Sequence, residues 1–141
     1  LQGIIGFRSG TPYTPTVSRD TSNTGIGGQR PHRIASGQLS NPTLDNYFDK
    51  NAFTLPANFT WGNSGANILR RDLLGNYDFS LYKLFSITEK SKLQLRWEAF
   101  NLPNIAYFNA PNSNVDVAAG GRVTSTSNSP RQMQVALKLN F

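Results

Sequence analysis

Few residues in this chain have the types that chemistry requires. His32 is the only histidine and there is no cysteine. Metal centres drawing on several histidines or on thiolates therefore lack their donors, and neither disulfides nor a thiolate nucleophile can form. His32 follows Arg30-Pro31 in turn-rich sequence. It reads as a surface residue and not as the base of a Ser-His-Asp triad. Asp45 and Asp49 have the spacing of a carboxylate pair for hydrolysis or for Ca²⁺. The dense alternating acids and bidentate Glu of a calcium loop are missing around them. Gly25, Gly27 and Gly28 match neither phosphate-binding glycine pattern and read as turn residues. The expectation is a chain that is not an enzyme and holds no cofactor.

Charge is the next candidate. The net charge is +6 and the pI about 10.0, a balance that suits nucleic acid or an anionic surface. The arginines, however, are scattered: Arg8, Arg19, Arg30, Arg33, Arg70, Arg71, Arg122 and Arg131 stand mostly among turn residues. Without a basic run, no nucleic-acid partner is expected. A solvated loop surface fits better, with lipopolysaccharide phosphates as a second reading. The aromatics Tyr77, Phe79, Phe100, Tyr107 and Phe108 have faces for stacking on a sugar or a base. In a barrel, Tyr77, Phe79 and Phe100 would instead lie near the outer rim and Phe85 and Phe141 near the inner one, as interface girdles do.

The elements that would position these groups are strands. From Gln132 to Phe141, Met133, Val135, Leu137, Leu139 and Phe141 share one parity, and Gln132, Gln134, Ala136, Lys138 and Asn140 the other. Such alternation is that of a strand with one apolar and one polar face. It runs to an aromatic last residue, whereas chain ends usually fray. Lys92 to Leu102 repeats the arrangement, with Leu93, Leu95, Trp97 and Ala99 against Gln94, Arg96 and Glu98. The polar members suit a water-filled lumen, with Arg96 and Glu98 placed to pair. Asn76 to Ile87 is less regular. Tyr77, Phe79, Leu81, Phe85 and Ile87 share a parity that Lys83 interrupts, and Tyr82 and Leu84 dilute the polar side of Asp78, Ser80 and Ser86. Phe100 falls on the polar parity.

Thr88-Glu89-Lys90-Ser91 is short and polar and reads as a tight hairpin. Strands are thus expected over about 1–7, 76–87, 92–102 and 132–141, with long loops over 8–75 and 103–131 that are dense in Gly, Pro, Asn and Ser. Connections alternating long and short are those of a bacterial barrel, whose periplasmic turns are short and whose extracellular loops are long. No apolar run approaches the about 20 residues of a membrane helix, but a barrel strand needs only about 9–11. The hydrophobic fraction, 38%, is low for a globular domain and the mean hydropathy is −0.41, a measure that misses strands because they alternate. Four strands do not close a barrel. The chain, which begins at Leu1, reads as cut from a longer precursor.

Several stretches resemble the C-terminal region of TonB-dependent receptors, particularly the large ones with a carboxypeptidase-regulatory-like domain common in acidobacteria. They are Phe7 to Pro15, Ser22-Asn23-Thr24-Gly25 with Arg30-Pro31, Tyr47 to Phe53 and Gly62 to Asn67. Asn76 to Lys83, Leu93 to Leu102 and Pro130 to Gln134 complete the series. The order and spacing carry the likeness through nearly the whole chain. Where the family often has Arg-Gly-Pro-Gly, this chain has Arg70-Arg71-Asp72-Leu73.

The resemblance implies an all-β fold of antiparallel strands from the C-terminal end of a transmembrane β-barrel of about 22 strands, in the bacterial outer membrane, importing a nutrient. It implies Met133, Val135, Leu137, Leu139 and Phe141 as the signal read by the barrel-assembly machinery. Gln94, Arg96, Glu98, Gln134 and Lys138 are then the lumen-facing polar residues. The partners would be outer-membrane lipid and lipopolysaccharide, the rest of the barrel and its plug, that machinery, and TonB through N-terminal parts beyond these residues. The rival is a soluble β-sandwich binding carbohydrate or another surface ligand, with Met133, Val135, Leu137 and Leu139 packed on a second sheet.

Overall fold

Alternating segments satisfy their backbone only beside neighbours, and the computed structural model, which describes residues 1–141, pairs them in one antiparallel sheet. In chain order the strands are β1 (Gln2–Arg8), β2 (Pro12–Tyr13), β3 (His32–Arg33), β4 (Phe53–Thr54), β5 (Leu69–Arg70), β6 (Leu74–Ser86), β7 (Lys92–Phe100) and β8 (Gln132–Asn140), with a 3-10 turn at Lys50–Ala52. The main sheet has the order β1-β6-β7-β8. β6 begins at Leu74 and not at Asn76, because Leu74 and Gly75 find partners in Arg8 and Phe7. β7 ends at Phe100, short of the expected 102, because Asn101 turns to φ 50. Its side chain then ties the chain down: Nδ2 donates to the carbonyls of Ile105 and Ser129, both at 3.0 Å, and Oδ1 accepts from the Ile105 amide.

Residues 87–91 close the β6–β7 hairpin. Ile87 and Thr88 donate their amides to the Ser91 carbonyl, and Thr88 Oγ1 accepts from the Ser91 amide at 3.0 Å. At the opposite end, Arg8 pairs with Leu74 and Phe100 with Gln132, so both long connections leave the same rim of the sheet.

The chain forms two compact units. The sheet unit comprises residues 1–9, 73–107 and 126–141, and the loop unit residues 10–72 and 108–125. The long connection expected as an irregular loop over 8–75 thus contributes a packed body of its own. Its core is Phe48, Ala52, Phe53 and Leu69, with Tyr13, Ile68 and Val115 against it. The Phe48 and Phe53 rings meet edge to face with centroids 6.0 Å apart, a favoured aromatic geometry. Two-residue pairings, β2 with β5 and β3 with β4, hold the segments together. Close backbone approach does the rest: a Cβ at Gly10 would lie 1.7 Å from the Arg71 carbonyl oxygen, so only glycine fits.

Candidate functional site

The sheet sorts its side chains into two rows. In β8 and β7 the register sets Leu139 against Leu93, Leu137 against Leu95, Val135 against Trp97 and Met133 against Ala99. In β6 and β7, Phe85 meets Leu93, Lys83 meets Leu95, Leu81 meets Trp97 and Phe79 meets Ala99. β1 extends this row with Gly3, Ile5 and Phe7 opposite Phe79, Tyr77 and Gly75. The row is apolar except at Lys83. It is also uncovered: Leu137 keeps 66% of its surface and Val135 68%. Packed on a second sheet, as the rival reading expects, these residues would be buried.

The other row is polar. Gln94 stands opposite Lys138, Arg96 opposite Ala136 and Glu98 opposite Gln134. Arg96 and Glu98 form an ion pair along β7, and the Gln134 side-chain amide donates to Glu98. The five residues expected on a lumen face are therefore brought to one face and linked in part. Gln2, Ile4, Asp78 and Ser80 join Arg96 and Glu98 around a recess of about 180 Å³ on the same side. Tyr82 and Leu84, which dilute the alternation of β6, stand opposite Arg96 and Gln94 in this row.

Aromatic residues collect toward the loop end of the apolar row. Phe7 and Tyr77 meet at 5.6 Å, and Phe79 and Trp97 at 5.9 Å. Tyr107 joins them, which the alternation did not indicate. Its hydroxyl occupies the place where a Cβ on Gly75 would stand, 2.3 Å away. A glycine inside a strand often marks such close approach, so Gly75 was the available signal. Phe100 stands in the polar row, in register with Gln132.

In the loop unit the residues considered for chemistry have structural partners. His32 Nδ1 accepts from the Asn63 amide at 3.3 Å. Asp45 pairs with Arg122 at 3.5 Å, and Asp49 caps the 3-10 turn by accepting from the Asn51 amide at 2.9 Å. Gly25 and Gly28 take positive φ, as turn residues. Several arginines are spent internally. Arg71 donates to Thr11 Oγ1 at 2.8 Å and to the Phe108 carbonyl at 3.3 Å, and Arg33 to the Ala35 and Ser36 carbonyls.

Two carboxylates are held ionised. Burial of Asp20 opposes its charge, but the Gly25 and Thr24 amides and the Gln29 and Ser22 side chains outweigh it and lower its pKa. Asp116 is lowered likewise, Ser18 overcoming its partial burial. Burial raises Tyr13, with Tyr47 and Asp72 nearby adding to it. Burial and the Asp72 side chain push Tyr47 up to about 12. These groups order a loop.

An uncovered apolar row backed by a hydrogen-bonded polar row is the cross-section of a membrane barrel wall. The family of outer membrane beta barrel domains matches residues 1–134. The chain belongs to that family. It is part of an outer-membrane β-barrel, all-β and antiparallel, and its place is the bacterial outer membrane. No curated protein and no solved structure matches it. A wall of this kind meets hydrocarbon with its apolar row and pairs the polar groups of its strands within itself. β1 and β8 are edges of a four-stranded sheet, and closure takes at least about eight strands, so further strands complete the wall.

Proposed function

We propose that this barrel domain is the C-terminal part of a TonB-dependent receptor importing a nutrient across the outer membrane, with no catalytic chemistry of its own. The observation that carries the reading is the packed loop unit. Residues 10–72 and 108–125, from the two connections leaving one rim, share one body. Short turns face the periplasm and long loops the exterior in bacterial barrels. That rim is then the outer one, and the two connections carry the surface first met by a ligand. The motif series of the sequence adds the TonB-dependent type. In this reading Gln94, Arg96, Glu98, Gln134 and Lys138 line the lumen around a plug supplied by the rest of the receptor. Met133, Val135, Leu137, Leu139 and Phe141 present the assembly signal to the barrel-assembly machinery. Lipid surrounds the wall, and lipopolysaccharide phosphates meet the basic loops.

Uptake by cells with and without the receptor, each with and without TonB, tests the proposal on a panel of nutrients too large for passive entry. Loss of one uptake in both deletions is expected. Uptake that needs the barrel but not TonB overturns the receptor type and leaves the barrel domain standing. A chain that fractionates as a soluble monomer without detergent would favour the β-sandwich binding module instead.

A further inference from the structure

The connection between β1 and β6 folds a recess into its own packed body, within residues 10–72. Buried Phe48 and Leu69 close its bottom, and the β2–β5 pairing sets Tyr13 opposite Leu69 in its wall. Gln38, Arg70 and Asp72, all exposed, line it from the solvent side. The volume is about 160 Å³. A cavity of about 150 Å³ accepts benzene, so the recess has room for one six-membered ring. Its polar groups are unspent. Tyr13 is half-buried, and its hydroxyl has no hydrogen-bond partner in the chain. The Gln38 side-chain amide has none either. Arg70 gives a single long bond, to the Gly10 carbonyl at 3.4 Å. Asp72 donates its amide to the Tyr47 hydroxyl at 2.9 Å, but its carboxylate joins no ion pair: those of the chain are Arg96–Glu98 and Arg122–Asp45. An apolar bottom with a few convergent polar groups is the make-up of a small-molecule site.

The charges narrow the ligand. Arg70 alone would draw an anion and Asp72 alone a cation; together they leave the recess without net charge. A neutral ring carrying hydroxyls answers every group, because each hydroxyl both donates and accepts. It donates to Asp72 and Gln38 and accepts from Arg70 and Tyr13, while its C–H faces meet the apolar bottom. An apolar ring would strip these groups of water and give no bond in return.

We infer that this recess binds one pyranose ring of an uncharged carbohydrate, free or at the end of a glycan, through Tyr13, Gln38, Arg70 and Asp72. The inference names a ligand class for the receptor reading and rests on that reading only for the route inward. The binding itself belongs to the loop unit.

The test uses the whole barrel protein in nanodiscs and saturation-transfer difference NMR. The probes are the methyl pyranosides of glucose, galactose, mannose and N-acetylglucosamine, beside glucuronate, glucosamine and the zwitterion serine. At least one methyl pyranoside is expected to take up saturation at its ring protons, and to bind more tightly than the charged probes. Asp72→Asn is expected to weaken it about tenfold, the worth of one hydrogen bond to a charged group, and to turn the remaining preference toward glucuronate. Arg70→Gln should turn it toward glucosamine. Opposite shifts of this kind do not arise from a loop unit that merely unfolds, and D72N keeps the Asp72 amide that bonds Tyr47. Arg19→Gln, at a residue that does not line the recess, is expected to bind as the parent does. No binding of any methyl pyranoside, tighter binding of a charged probe by the parent, or an equal loss in R19Q overturns the site. Pyranoside binding by a barrel whose uptake does not need TonB leaves the site standing and overturns the receptor reading. TonB-dependent uptake of another nutrient, with no pyranoside bound, does the reverse.

Discussion

Placing a lysine at Leu137 and, separately, at its neighbour Ala136 perturbs the two faces of one strand with the same side chain. Leu137 is mid-strand in β8, opposite Leu95, and 66% exposed in the apolar row. It stands four positions after Met133 and four before Phe141. With a rise of about 3.4 Å per residue and a tilt of about 40°, Leu137 lies about 10 Å below one and above the other. The apolar band is about 25 Å tall, so Leu137 is near its centre. Leu137→Lys should therefore cost about 2–4 kcal/mol of folding free energy, or about 30- to 900-fold in the folding equilibrium. Ala136 faces the polar row, opposite Arg96. Ala136→Lys sets two like charges across the sheet, a repulsion of about 0.2–1 kcal/mol. Denaturant unfolding of the barrel in lipid vesicles, followed by Trp fluorescence, reads both. Equal losses, or a larger loss for A136K, would refute the assignment of faces.

Four further outcomes concern the loops and the rim. Asn101→Ala removes three side-chain hydrogen bonds and leaves alanine at φ 50; about 2 kcal/mol should be lost, with Asn101→Gly recovering part of it in the same unfolding assay. Gly10→Ala places a methyl on the Arg71 carbonyl, so limited proteolysis should cut the loop unit while the strands remain protected. Acid should weaken the loop unit through Asp20 and Asp116. Both carboxyls are held below the ordinary 3.8 in the folded chain, so their contribution is fully present above that value and is lost as pH falls through the folded values. A denaturation midpoint read by Trp61 should fall in that window and do so less steeply in a D20N/D116N variant; an unchanged slope would contradict it. Tyr47 works in the other direction: its folded value of about 12 lies above 10.0, so stability should fall as pH rises past 10.

The strands were legible and the loop body was not, for a physical reason. A wall between water and lipid imposes a period of two on each strand, and the alternation of Met133 to Phe141 and of Leu93 to Ala99 is that constraint written out. β6 is harder to read because Tyr82 and Leu84 occupy the polar row and Lys83 the apolar one. The loop unit buries Phe48, Val17, Pro15 and Pro31 from irregular backbone, where no period exists to detect. Its glycines hinted at turns, while the actual requirement at Gly10 is the nearness of a carbonyl sixty-odd positions along the chain. Tyr107 over Gly75 is a non-local contact of the same sort.

The central claim is that alternate residues of β8 face lipid and water. Nitroxide labels placed singly from Met133 to Leu139 in the vesicle-embedded barrel, with spin-relaxation access to oxygen and to a water-soluble nickel chelate, test it most directly. Oxygen access should peak at 133, 135, 137 and 139 and nickel access at 134, 136 and 138. A flat profile, or one with the two probes exchanged, would contradict the account.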